Sequence, residues 1–283
     1  MNKCLHVMLT VFIYSYLSTA VASIKVHCLG QGKTIFLVGG GPAFSTWNLE
    51  PIQKKLSGNY KVCRWDMRGV GDNTDLMIQT EVSVLEQWLQ DMQNVLPQEP
   101  VLLWGHSWGA LQALLFAEMN PGRVYKLILS NPVDPDLRSL ENIEQKRFNH
   151  HINDSNLELD HIGTDVEQKY NFKSKIASYF VDAKQGWEYA SKFNLKDSNS
   201  RLNIQIWDEY KMAPLKETSI KQLEAMIGGL IYCQHDVLQP ENLSEYRRLL
   251  KKSKHYILNG CGHFPWVENP DDYYDVLLKL LEE

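Results

Sequence analysis

Val101-Leu102-Leu103-Trp104-Gly105-His106-Ser107-Trp108-Gly109-Ala110-Leu111 decides how this chain folds. Four apolar residues run into Gly-His-Ser-Trp-Gly, and an apolar, alanine-rich run follows from Ala110 to Met119. Physically, this is a buried strand, a very tight turn and a buried helix. Gly105 and Gly109 flank the serine where strand and helix come so close that a Cβ would clash. The spacing predicts a strained backbone at Ser107, with its hydroxyl pushed out at the apex. The backbone N–H groups that follow open the helix and point where a negative oxygen can be held, Trp108 N–H first among them. The five-residue pattern alone is common; its position between a strand-like and a helix-like run gives it weight.

Outward from that turn, strand and helix signals alternate. Thr34-Ile35-Phe36-Leu37-Val38 is a continuous apolar run, the mark of a central strand, and it discharges into Gly39-Gly40-Gly41-Pro42-Ala43. A glycine triplet after a buried strand leaves backbone amides free to approach a ligand. A phosphate site is disfavoured, because no Gly-Lys-Ser/Thr follows and the G-x-G-x-x-G spacing is absent. With a serine turn downstream, Gly41 N–H is expected to pair with Trp108 N–H as an oxyanion hole. Ile24–Cys28, Tyr60–Asp66 and Val124–Leu129 also read as strands. Glu81–Leu96 has helical period, stopped by Pro97 and Pro100. This alternation predicts a mostly parallel sheet covered on both faces.

Composition shifts near Val133. From Asp134 to Lys221 the chain is polar, with helical patterns at Asn142–His151, Val166–Ala190 and Ile204–Met212 and scattered aromatics to bury. That stretch is expected to be a helical cap, inserted between a first part of the core at 23–133 and a second at 222–283. Regular order resumes with a strand over Leu223–Tyr232, a helix over Asn242–Lys252, a strand over Lys254–Leu258 and a closing helix over Asp271–Leu281.

The 283 residues carry a formal net charge of −5, and no basic run with interleaved aromatics argues for nucleic acid. Residues 1–22 read as a secretory leader. Lys3 supplies the charge, Leu5–Leu17 is mostly apolar, and Ala20-Val21-Ala22 offers small residues before a cut at Ser23. An uncleaved anchor is the competing reading, though the apolar run is short of the ~20 residues of a membrane span. Export leaves Cys28, Cys63, Cys233 and Cys261 in an oxidising compartment. Free buried thiols and three disulfide pairings all stay open at this level. None of the cysteines has the close spacing of a zinc site, and no metal or organic cofactor is called for.

A serine hydroxyl needs a base, usually an imidazole held by a carboxylate. His263 follows a strand on a loop with Gly260 and Gly262, and Asp236 lies just after another strand. Both loops are expected at the same sheet edge as Ser107. His106 is expected to pack beneath the turn, and His235 is the weaker candidate for the base.

These residues resemble the α/β-hydrolases, and among them the proline iminopeptidase-like serine peptidases. Gly39-Gly40-Gly41-Pro42-Ala43 is similar to that family's His-Gly-Gly-Pro-Gly, and Trp65-Asp66-Met67-Arg68-Gly69-Val70-Gly71 to its Trp-Asp-Gln-Arg-Gly-x-Gly. Gly105–Gly109 matches its serine turn. Gly262-His263-Phe264-Pro265-Trp266-Val267-Glu268-Asn269-Pro270 matches the histidine segment of many α/β-hydrolases. The likeness covers about residues 24–133 and 223–283. Gly39 and Ala43 depart from it. A serine at the turn sets the chain apart from the dehalogenase and epoxide-hydrolase branches, which the resemblance says use aspartate there.

The resemblance implies an α/β-hydrolase fold and a Ser107–His263–Asp236 triad working through an acyl-enzyme. It also implies cap carboxylates that grip a substrate's free amino terminus, for which Glu188, Asp208 and Glu209 are the candidates. The family's sheet order implies the pairs Cys28–Cys63 and Cys233–Cys261. The expected function is an exported aminopeptidase acting on a small-molecule or short-peptide substrate. The alternatives are an esterase or acylase on the same core and a non-catalytic binding protein.

Overall fold

The computed structural model describes residues 23–141, 143, 145–146, 172–238 and 241–283. The expected leader, most of the Asn142–His151 helix and the first part of Val166–Ala190 lie outside the described residues.

Seven strands form one sheet in the order β1-β3-β2-β4-β5-β6-β7. They are β1 (Val26–Leu29), β2 (Thr34–Val38), β3 (Lys61–Trp65), β4 (Val101–His106), β5 (Val124–Ser130), β6 (Ile227–Cys233) and β7 (His255–Leu258). Only β1 pairs antiparallel, on β3; every other pairing is parallel. Parallel strands need crossovers, and the helices that supply them cover both faces. Hence β2 reads as an unbroken apolar run. Ile35 and Leu37 point into one apolar layer with Leu102, Trp104 and Ile231. Phe36 and Val38 point into the other, with Leu103, Leu127 and Leu129.

Besides helical residues 172–177, the described helices include α1 (Glu50–Leu56), α2 (Val84–Val95), α3 (Trp108–Met119), α4 (Ala183–Ser191), α5 (Ser200–Met212), α6 (Glu217–Leu223), α7 (Glu241–Leu249), α8 (Pro265–Glu268) and α9 (Pro270–Glu282). Trp108 through Ala117 of α3 are all buried, so this helix is wrapped on all sides and carries no amphipathic stripe. Among the described residues, no helix is long and apolar enough to cross a membrane.

Two boundaries differ from expectation. The strand expected at Leu223–Tyr232 begins at Ile227, because α6 runs to Leu223 and a 3-10 turn occupies Glu224–Met226. Apolar Leu223 and Ile220 face the buried layer from a helix, a signal that periodicity in so short a run cannot separate from a strand. The single helix expected over Val166–Ala190 is interrupted. Residues 172–177 are helical, 178–182 turn, and α4 restarts where the Asp182 side chain accepts from Gln185 N as its N-cap. Both disulfides, Cys28–Cys63 and Cys233–Cys261, are formed. The first joins paired positions of β1 and β3; the second ties the end of β6 to the loop after β7.

Candidate active site

At the C-terminal end of β4 the chain reverses within a few residues. Ser107 has φ 56° and ψ −123°, a strained conformation for a residue with a side chain. The tightness has a direct cause. A Cβ on Gly105 would lie 2.6 Å from the Ala110 Cα, and one on Gly109 would lie 2.1 Å from the Val38 carbonyl oxygen. Surrounding structure holds the strain: Ser107 N–H donates to Ser130 O at 3.1 Å, and Ala110 N–H to Ser107 O at 3.0 Å.

Asp236 and His263 come together at the same edge. His263 Nδ1 lies 2.8 Å from Asp236 Oδ2. That acid is buried and well supplied with donors: Asn131 Nδ2 reaches Oδ2 at 2.7 Å, and Leu238 N–H reaches Oδ1 at 3.0 Å. With Nδ1 committed to the carboxylate, Nε2 is the ring nitrogen left for proton transfer. The histidine loop is braced further. His263 N–H donates to Tyr179 O at 2.8 Å, and the Tyr179 ring stacks on the imidazole at 4.5 Å. Glu268 accepts from Gly262 N–H at 2.9 Å and Val181 N–H at 2.8 Å.

His106 sits beneath the turn, as expected. Its Nε2 donates to the His263 carbonyl at 2.8 Å. Burial, and then the neighbouring His263, hold its pKa well below the usual imidazole range. It therefore stays neutral, joining the serine turn to the histidine loop. His235 is exposed.

Among the described residues, neither Gly41 N–H nor Trp108 N–H is taken up by a protein acceptor. The Gly41 loop lies against the serine turn, since a Cβ on Gly40 would come within 3.0 Å of Ser107 Cβ. The departure at Gly39 also has a structural counterpart. A Cβ there would stand 2.7 Å from the Thr46 methyl, so Thr46 fills the space a larger side chain needs. Thr46 is itself locked, with its N–H at 2.6 Å and its hydroxyl at 2.9 Å from Asp66 Oδ1.

Of the three cap carboxylates expected to grip an amino terminus, one is spent on a helix cap and two are exposed. Glu209 caps α2: it accepts from Ser83 Oγ and Leu85 N–H at 2.9 Å and from Val84 N–H at 3.1 Å. Burial pushes its pKa up, but the bonds from Leu85, Gln205, Ser83 and Val84 outweigh this and hold it below the usual range. Asp208 is exposed and pairs with Lys211 at 3.3 Å. Glu188 is exposed on α4. Trp207 turns inward, onto Trp108 at 4.9 Å, which leaves Asp208 to solvent and turns Glu209 to the start of α2.

Among the described residues, aromatic rings contact the residues of the site. Phe44 abuts Gly41, Trp207 covers Trp108 and Tyr179 covers His263. Sequence reasoning missed Asn131, Tyr179 and Glu268 as supports. Asn131, a polar residue at the end of a buried strand, carried a readable signal; Tyr179 carried none.

A family model described as the alpha/beta hydrolase fold matches residues 33–270. A proline iminopeptidase of Heyndrickxia coagulans is 22% identical over 89% of this chain and 91% of its own length. A pimeloyl-[acyl-carrier protein] methyl ester esterase of Pseudoalteromonas atlantica is 24% identical over 92% of this chain and 97% of its own. Among solved structures, the 2-hydroxy-6-oxo-6-phenylhexa-2,4-dienoate hydrolase of Rhodococcus sp. strain RHA1 superposes with a TM-score of 0.66 at 17% identity, covering 93% of this chain and 96% of that one.

Proposed function

The chain belongs to the alpha/beta hydrolase fold family, and from that premise we propose that it is a serine hydrolase acting on an ester or amide with an uncharged, apolar acyl group. The observation that carries the chemistry is the buried Asp236–His263 hydrogen bond at the edge where Ser107 stands. Ser107 Oγ attacks the carbonyl carbon while its proton passes to His263 Nε2. The N–H groups of Gly41 and Trp108 receive the negative oxygen; removing one such donor typically costs ~10²–10³ in rate. As the tetrahedral intermediate collapses, the bond to the leaving group breaks and His263 returns the proton to it. Water, deprotonated by the same imidazole, then attacks the acyl-serine ester and frees Ser107.

The substrate class is drawn from the described residues that border the site. Phe44, Tyr179 and Trp207 present neutral aromatic surface, while Glu188, Asp208 and Glu209 are engaged elsewhere or exposed. Burying an ammonium group beside apolar walls without an anion is costly. The aminopeptidase reading is favoured by likeness to the Heyndrickxia coagulans proline iminopeptidase and is the second reading. Both disulfides and the leader-like residues 1–22 support export to an oxidising compartment.

The test is a fluorophosphonate probe together with matched substrates. Labelling is expected on Ser107 and absent in Ser107→Ala; equal labelling of the variant overturns the mechanism. p-Nitrophenyl acyl esters should be cleaved whether or not an amine is present. Cleavage of aminoacyl anilides that disappears on N-acylation would move the conclusion to the aminopeptidase.

A further inference from the structure

Gly39-Gly40-Gly41 is the most freely rotating stretch beside the site, and glycine loses the most conformational freedom when ordered. Gly41 has φ 135°, a region that other residues rarely enter. A donor on such a backbone is useful only if something outside the triplet holds it, since a displacement of 1 Å at a reacting centre can cost ~10²-fold.

Downstream of Gly41, the hold comes from the cap. Pro42 O accepts from Asn203 Nδ2 at 2.7 Å, and Ala43 O accepts from Asn199 N–H at 3.0 Å. Phe44 forms an isolated antiparallel bridge with Ser198. Ser45 N–H donates to Asp197 O at 2.8 Å, and Ser45 Oγ to Asp197 Oδ1 at 2.9 Å. Ala43 packs into the core through its methyl group, but among the described residues hydrogen bonding to the core resumes at Thr46, through Asp66. The cap side is built for the purpose. Asp197 is buried, and its second oxygen accepts from Asn194 N–H at 2.7 Å. Asn199 caps α5 by accepting from Leu202 N–H at 3.1 Å. Asn203 follows four residues later, on the same face of that helix.

We propose that cap residues 197–203 clasp the 42–45 loop and thereby set the Gly41 oxyanion donor, with Asn203 as the principal positioning residue. This rests on the serine hydrolase reading of the site. Its consequence is that the cap and the oxyanion hole are one mechanical unit: a shift of α5 moves the donor, while the Asp236–His263 pair keeps its geometry.

The test is Asn203→Asp, which keeps shape but replaces the donor facing Pro42 O with an acceptor. Arg201→Gln, exposed on the same helix, is the control. The expected result is a fall in kcat of about 10- to 100-fold, short of the outright loss of a donor, with KM changed far less. Binding of an alkyl boronic acid, which forms a tetrahedral adduct on serine, should weaken by the same factor as kcat/KM. Amides of residues 40–46 should exchange hydrogen faster while those of β4 and α3 do not. Ser45→Ala should move each readout the same way by less. The proposal is overturned if Asn203→Asp turns over like the control, or if kcat falls with the loop amides still protected. Failure of the unaltered protein to label at Ser107 overturns the hydrolase reading instead, an outcome distinct from a labelled protein whose variant works normally.

Discussion

Two loops flank Ser107, and they are held by different means. The loop bearing His263 is secured by the core through a disulfide from Cys233 to Cys261, Asn131 on Asp236 and on Gly262 O and Glu268 on Gly262 N–H, with a cap contact, Tyr179, on the histidine itself. The loop bearing Gly41 buries Ala43 in the core, but among the described residues the hydrogen bonds of its middle go to α5 and the turn before it. The base is therefore placed by covalent and buried polar restraints that form with the sheet. The loop of the oxyanion donor takes its polar hold from the insertion.

The sharpest way to break the comparison is at the base. Asp236→Asn should lower kcat by about 10³–10⁴-fold by holding the imidazole in the wrong tautomer, measured on a p-nitrophenyl ester, with folding checked by circular dichroism. Removing the disulfides separates the loops from the rest of the sheet. Cys233→Ala with Cys261→Ala should cost ~2–5 kcal/mol of stability and reduce kcat as well. Cys28→Ala with Cys63→Ala should destabilise comparably yet leave kcat unchanged, because β1 lies at the far edge of the sheet. Denaturant titration and steady-state rates read the two effects.

A smaller effect is expected where the cap leaves the core. Asp134 is fully buried, and burial first, then the neighbouring Asp136, push its pKa from 3.8 up to about 7. Among the described residues its Oδ2 has no donor, and the protonated acid can donate to Asp136, which pairs with Arg138. Between these two pKa values the folded protein binds more protons than the unfolded chain, so this group's contribution to stability falls as pH rises through that window and levels off above it. Asp136 is shifted the other way and offsets part of this. Asp134→Asn should therefore gain on the unaltered protein between pH 5 and pH 8, by on the order of 1–3 kcal/mol, in thermal unfolding. Smallest of all, Glu209→Ala should cost ~1 kcal/mol through the lost cap on α2. It should leave the ratio of rates on free and N-acylated substrates unchanged, as should Glu188→Gln.

The sheet edge was readable because its signals are local. A Cβ has no room at Gly105 or Gly109, so those glycines announce the turn wherever the strand and helix on either side are apolar. Strand β2 was read to its ends for the same reason: five apolar-leaning residues buried from both faces leave no polar alternation to misread. Asp236 and His263 each follow a strand, and in a parallel sheet all such positions converge on one edge.

The cap was not readable in this way. Whether Glu209 faces a substrate or the N-terminus of α2 depends on which face of α5 turns inward, and the answer is set by Trp207 and Tyr210 finding Trp108, more than ninety residues away in the chain. The role of Asn203 depends on a loop that lies 161 residues earlier. Sequence by itself determined the strand–turn–helix, the residues at the sheet edge and the family they resemble, since each follows from sterics and periodicity over a few neighbours. Tertiary structure alone decided which carboxylates are spent on helix caps and which amides hold the Gly41 loop. Those choices are made by packing between distant segments, and no spacing along the chain records them.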